Sequence, residues 1–168
     1  MSFYLEKPSL KHKDRYLDYI KEWKDTKIVP YSSRIIDKTY EEWLLEKQLQ
    51  ESVETAPKDF VPASTFLFMD DEDIVGCVNI RHKLNQKLLE TGGHIGYGIR
   101  PSKRNLGYAG IMLKLALIES KSLGIKRVLI TCDDDNLASK GTIESCGGIY
   151  ENKFFDKDHY VLRYWIIN

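Results

Sequence analysis

The sequence predicts an α/β fold of the α+β kind, with one mixed, mostly antiparallel central sheet and helices on both of its faces. Three observations predict it. Apolar residues follow the helical period near the N-terminus, turn to β-rich runs from Ser64 onward, and then alternate between the two patterns. The acidic turn Asp70-Asp71-Glu72-Asp73 joins two of those runs as a hairpin. A chain of 168 residues, 42% apolar and 30% charged, has the profile of one globular domain, taken as residues 1–168.

The elements follow in order. A short strand at Phe3–Glu6 leads into a helix over Lys11–Trp23, where Tyr16, Leu17, Ile20 and Trp23 share a face. A loop with Pro30 precedes a second helix over Tyr40–Glu51, and Pro57 and Pro62 mark a second loop. Ser64–Met69 and Ile74–His82 form the hairpin. A polar connection, Asn85–Gly93, precedes the strand His94–Ile99, which Pro101 ends. Leu106–Leu123 is the main helix, apolar nearly all round and so expected to be covered on both sides until Gly124 stops it. Arg127–Cys132 reads as a buried parallel strand, Asn136–Cys146 as a helix, and Ile149–Phe155 and Tyr160–Ile167 as closing strands. The order is β-α-α-β-β-β-α-β-α-β-β.

Composition excludes several classes. Lys+Arg and Asp+Glu each total 25, so the net charge is zero, and neither a nucleic acid nor a membrane surface is expected as partner. Cys77, Cys132 and Cys146 lack paired spacing and read as free thiols in a reducing compartment, without disulfide or zinc. The start of the chain lacks the pattern of a secretory signal, and a cytoplasmic location is expected. Asp133-Asp134-Asp135 reads as a solvated turn and helix entry, so no metal is expected.

The chemistry points to Arg104-Asn105-Leu106-Gly107-Tyr108-Ala109. A glycine-bearing turn that opens a helix presents free N–H groups and the positive end of the helix dipole, which favours a phosphate. The pattern resembles the coenzyme A pyrophosphate loop of the GNAT acetyltransferases. Gly96-Tyr97-Gly98-Ile99-Arg100-Pro101 is similar to the strand and proline corner before that loop in the family. Asn136, Ala138, Ser139 and Gly147-Gly148 are similar to its next helix and closing corner. The stretches Ile80–Asn85 and Gly92–Tyr97 look like a bacterial subgroup of predicted acetyltransferases.

The resemblance implies an N-acetyltransferase that moves the acetyl group of acetyl-CoA directly to a primary amine of a small molecule or peptide. The backbone of Arg104, Asn105, Leu106, Gly107, Tyr108, Ala109 and Gly110 would hold the pyrophosphate. Tyr97, Gly98 and Ile99 would pair with the pantetheine as an added strand, with Asn136 and Ser139 beside them. An N–H of Tyr97 or Ile99 would polarise the thioester carbonyl. A distortion of that strand would splay it from its neighbour, and Gly96 and Gly98 suit a bulge. Arg100, Lys103 and Arg104 would meet the 3′-phosphate or form a solvated corner.

His94 stands where many relatives carry a glutamate, and reads either as the base for the substrate ammonium or as a hydrogen-bonded strand residue. Where many members place an acidic tyrosine, this chain has Ile143, so Ser139 is the candidate acid or the thiolate leaves unassisted. Arg81, His82 and Asn85 are candidates for acceptor binding, against a solvated strand end. Tyr31, Tyr40, Trp43 and Phe60 lie in the segment that lines the acceptor side in relatives, while His12 and His159 are expected at the surface. A homodimer through Tyr160–Ile167 is open. The alternative function is a non-catalytic acyl-CoA sensor, and a second is transfer of a longer acyl group.

Overall fold

The structure, a computed structural model, describes residues 1–24 and 26–168. Its strands are β1 (Phe3–Glu6), β2 (Ala63–Asp70), β3 (Asp73–Arg81), β4 (Ile95–Ile99), β5 (Arg127–Asp133), β6 (Ile149–Asp156) and β7 (His159–Ile167). Its helices are α1 (Lys13–Lys21), α2 (Tyr40–Leu49), α3 (Tyr108–Ser122) and α4 (Leu137–Ser145). The predicted order holds, with ends moved by a residue or two. Thr39 starts α2 with a reciprocal capping box, its hydroxyl taking the Glu42 N–H while the Glu42 carboxylate takes the Thr39 N–H.

The predicted fold class holds, antiparallel strands flanked by helices, with the sheet divided in two. Its ladders run β1-β2-β3-β4 and β5-β7-β6, and every pair within them is antiparallel. The single mixed sheet is thus two antiparallel sheets side by side. The crossover through α3 sets β5 beside β4 in the same direction. Strand β5 was expected in a parallel pairing, but its ladder partner is the antiparallel β7. Strand β7 (His159–Ile167) lies in the middle of its sheet, between β5 and β6.

Alternation along β2 fills two cores. Phe66 and Phe68 join Val78 and Ile80 of β3, Met112, Leu113 and Ala116 of α3, and Val128 and Ile130 of β5. Leu67 and Met69 point the other way, against the aromatic cluster of Tyr16, Tyr19, Trp23, Tyr40 and Trp43 from α1 and α2. Each such burial contributes roughly 1.5–3 kcal/mol. Helix α3 buries Met112, Leu113 and Ala116, and Ile111 and Leu115 are partly buried against the same core, while Ile118 is 62% exposed. His12 is buried rather than at the surface, its ring held by Glu6 and by Ser9. Among the described residues no helix is long and apolar enough to cross a membrane.

Gly96 and Gly98 do not make a bulge, since the β3–β4 register runs without a shift. They make room instead. A Cβ on Gly98 would stand 2.1 Å from the Val29 carbonyl oxygen, and one on Gly96 would stand 3.1 Å from Pro30 and from the Arg81 guanidinium. The segment after α1 therefore lies flat on β4. Gly98→Ala is expected to lower stability by about 1–3 kcal/mol through overpacking. Gly141→Ala, where a Cβ meets nothing within 4 Å, should raise it by up to about 1 kcal/mol. Urea midpoints measure both, and an unchanged Gly98→Ala midpoint would contradict the close approach.

Candidate active site

The corner after β4 is fixed from α1. Glu22, just past the end of α1, accepts from Arg100 Nε and from the Ser102 N–H. Burial raises the Glu22 pKa, but these Ser102 and Arg100 bonds outweigh it, so the carboxyl sits below its usual range. Arg100 also donates to the Ile74 carbonyl at 3.1 Å, so it braces the corner. Arg104 donates from Nε to the Ile99 carbonyl at 3.1 Å and lies 4.9 Å over the Trp23 ring.

Beyond that corner the chain turns twice through left-handed backbone, at Asn105 (φ 60°) and Gly107 (φ 79°), and enters α3. Asparagine and glycine are the residues that take this conformation most readily. Gly107 is the N-cap and has no side chain to satisfy the first turn. The N–H groups of Tyr108, Ala109 and Gly110 have no backbone partner among the described residues. A Cβ on Gly107 or Gly110 would meet nothing within 4 Å, so the turn faces open space.

That space is a cavity of about 640 Å³, within the range of small-molecule sites. Tyr97, Gly98 and Ile99 line it from β4. Arg104, Asn105, Gly107, Tyr108, Ala109 and Gly110 line it from the turn, and Asn136 and Ser139 from the start of α4. Leu106 does not, and is 58% exposed. Register decides which backbone groups face the cavity. The Arg81 N–H bonds the His94 carbonyl and the Arg100 N–H bonds the Val75 carbonyl, so even-numbered residues of β4 face β3. The N–H groups of Tyr97 and Ile99 therefore point into the gap between β4 and β5.

Across that gap the Tyr97 hydroxyl and Ser139 Oγ are 2.8 Å apart. Burial raises the Tyr97 pKa to about 12, so its proton is present at neutral pH. Asn136 Oδ1 accepts the Ser139 N–H at 3.1 Å and caps α4, which leaves the side-chain amide for a ligand. Ile143 is fully buried in the core. Burial raises the Cys132 thiol to about 11, which makes it a poor nucleophile at neutral pH.

His94, Arg81, His82 and Asn85 do not line the cavity. The His94 N–H donates to the Leu129 carbonyl at 2.7 Å, and the Leu129 N–H donates to His94 Nδ1 at 2.9 Å. Burial, with Arg81 nearby, lowers the His94 pKa to about 4. A base working near neutral pH does not fit this environment. Arg81 donates to the Gly92 carbonyl at 3.2 Å, His82 pairs with Ser64 Oγ at 2.8 Å, and Asn85 Oδ1 accepts the Leu88 N–H at 2.9 Å. Tyr40 and Trp43 are buried packing residues, while Tyr31 and Phe60 are exposed away from the cavity.

Sequence reasoning missed Trp23, Thr26, Lys27 and Val29, which line the cavity from the segment after α1. The two glycines spaced by one residue on β4 were the available signal, because something must lie flat on that face. Lys27 and Lys103 supply cations to the lining, and neither forms an ion pair among the described residues.

The family described as acetyltransferase (GNAT) domain matches residues 3–149. The chain belongs to the GNAT acetyltransferase family. It is therefore an acyltransferase enzyme. Several solved structures share the GNAT fold. An acetyl transferase from Salmonella typhimurium that modifies the N-terminal serine of ribosomal protein L7/L12 has a TM-score of 0.72 at 15% identity, covering 100% of this chain and 96% of that one. RimL, a ribosomal L7/L12 α-N-protein acetyltransferase in complex with coenzyme A, has a TM-score of 0.68 at 17% identity, covering 99% and 94%. A spermidine N-acetyltransferase SpeG chimera from Vibrio cholerae and hSSAT has a TM-score of 0.68 at 15% identity, covering 99% and 96%. No curated protein sequence matches the chain.

The His94 environment sets a pH dependence. Its folded pKa of about 4 lies below the ordinary 6.5, so between these values the unfolded chain takes up a proton that the folded chain refuses. Stability falls as pH drops through that window, by up to about 3 kcal/mol from this residue. His94→Asn removes this contribution and is expected to lose less stability than the wild type over the same window. Identical losses in urea titrations at each pH would contradict the environment described.

Proposed function

We propose that this enzyme moves the acetyl group of acetyl-CoA directly to a primary amine of a small molecule or peptide. One observation carries the reading. The unpaired N–H groups that open α3 and the free N–H groups of Tyr97 and Ile99 line one cavity. The first set suits a pyrophosphate and the second an extended amide chain, which is the composition of a pantetheine diphosphate. Lys27, Lys103 and Arg104 fit the remaining phosphate charge.

In this reading the strand edge of β4 orients the thioester, and an N–H of Tyr97 or Ile99 receives the developing oxyanion. The free amine attacks the carbonyl carbon, its nitrogen gives up a proton to water, and the carbon–sulfur bond breaks. The Tyr97–Ser139 pair takes the place of the tyrosine that Ile143 replaces. Its shared hydrogen bond places a neutral O–H in the gap, ready to protonate the leaving thiolate. Transfer is direct, because burial keeps Cys132 protonated and Cys146 Sγ lies against the Gly110 carbonyl. The acceptor class rests on the fold relatives, one acting on a protein N-terminal serine and one on spermidine.

Thiol release from acetyl-CoA with a panel of amines tests the activity, and tight CoA binding without turnover on any amine would favour a sensor. Gly107→Val is expected to weaken CoA binding at least tenfold, since it strains a left-handed position and fills the space before the helix. Unchanged affinity by calorimetry would remove the turn from the site. Tyr97→Phe should lower kcat by roughly tenfold with little change in KM, a modest loss because thiols leave readily. A kcat equal to that of the wild type would exclude the hydroxyl pair as the acid.

A further inference from the structure

We infer that His94 is a positioning residue whose imidazole closes the apex of the β4–β5 cleft and thereby sets how far the two strands part. The inference rests on the acetyl-CoA reading for its functional consequence, but its geometry stands on its own. In a parallel ladder one residue bonds two residues that flank its opposite number. Leu129 bonds one residue twice. Its carbonyl accepts the His94 N–H at 2.7 Å, and its N–H donates to His94 Nδ1 at 2.9 Å.

The reason lies in the turn before β4. Odd-numbered residues of β4 face β5, so a ladder continued regularly would offer Leu129 the carbonyl of Gly93. Residues Leu88–Gly92 form a single π-turn, and Gly93 follows with φ 67°. That turn gives the Gly92 and Gly93 carbonyls to the Arg81 guanidinium, 3.2 and 3.5 Å from its Nη1. Gly93 passes so close to β5 that a Cβ there would stand 2.7 Å from the Leu129 carbonyl oxygen. The imidazole nitrogen fills the place of the missing carbonyl. A buried N–H left without it would cost about 1–3 kcal/mol.

The bracket acts at a single point. From Ile95 on, no backbone bond crosses from β4 to β5 among the described residues, and the N–H groups of Tyr97 and Ile99 are left to the cavity. Arg81, expected on the acceptor, belongs to the same device, because it holds the carbonyl that the ring replaces. With the ring neutral and Nδ1 accepting, the hydrogen sits on Nε2. Asparagine offers an oxygen at nearly the position of Nδ1 and cannot act as a base near neutral pH, so His94→Asn separates positioning from proton transfer.

The test uses the full chain. In His94→Ala the KM for acetyl-CoA and the Kd for CoA should rise at least about fivefold with kcat reduced less than about threefold, whereas His94→Asn should stay within about twofold of wild type in all three. An asparagine variant as impaired as the alanine variant, or an alanine variant with unchanged KM, overturns the inference. Nitrogen NMR of the wild type at neutral pH should show a neutral His94 ring protonated at Nε2, and the Leu129 amide should exchange slowly. A ring protonated at Nδ1, or a fast Leu129 amide, overturns it without any variant. Should the wild type not bind CoA, the acetyl-CoA reading fails, and the ring and the Leu129 amide still decide the bracket.

Discussion

A strand edge without a neighbouring strand to pair with carries backbone groups that must find other partners, and in this protein that demand falls between β4 and β5. His94, just before β4, bonds Leu129 of β5, and beyond it no backbone bond joins the two strands among the described residues. The α3 crossover makes them neighbours, and among the described residues backbone bonding between them is confined to the His94–Leu129 end. An open edge of this kind is stable only if solvent or an extended ligand satisfies it. The cavity, the two helix starts that face it and the side chains gathered at its rim all follow from that parting.

The remaining parts hold the cleft in place. Glu22 fastens the end of α1 to Arg100 and Ser102, which fixes the approach to the turn at Asn105–Gly107. The aromatic cluster of α1 and α2 anchors that helix against β2 and β3. The segment from Thr26 to Pro30 is thereby laid on β4, where Gly98 admits the Val29 carbonyl. A substitution in this support, far from the cavity, would move one wall of it.

Much of the fold was legible. Periodicity together with the Pro, Gly and acidic turns placed the α-helices and strands, because these signals are local in the sequence, even for β6, which buries almost nothing. The turn that opens α3 was legible because Gly107 sits between a strand and a helix, where left-handed backbone is needed. Pairings between distant residues were not legible. Tyr97 meets Ser139 across 42 positions, and His94 meets Leu129 across 35. Nothing local to His94 says that its ring will replace a carbonyl, so the same imidazole read equally as a base. His12, expected at the surface, is buried, with Ser9 and Glu6, three and six positions away, as its polar partners.

The most direct measurement is amide hydrogen exchange of the full chain with and without CoA. A cofactor held along the β4 edge and at the start of α3 should slow exchange at Tyr97 and Ile99 and at Tyr108, Ala109 and Gly110, and leave the β6 edge unchanged. Protection confined to other segments, or none at all under saturating CoA, would contradict a cofactor cleft between β4 and β5.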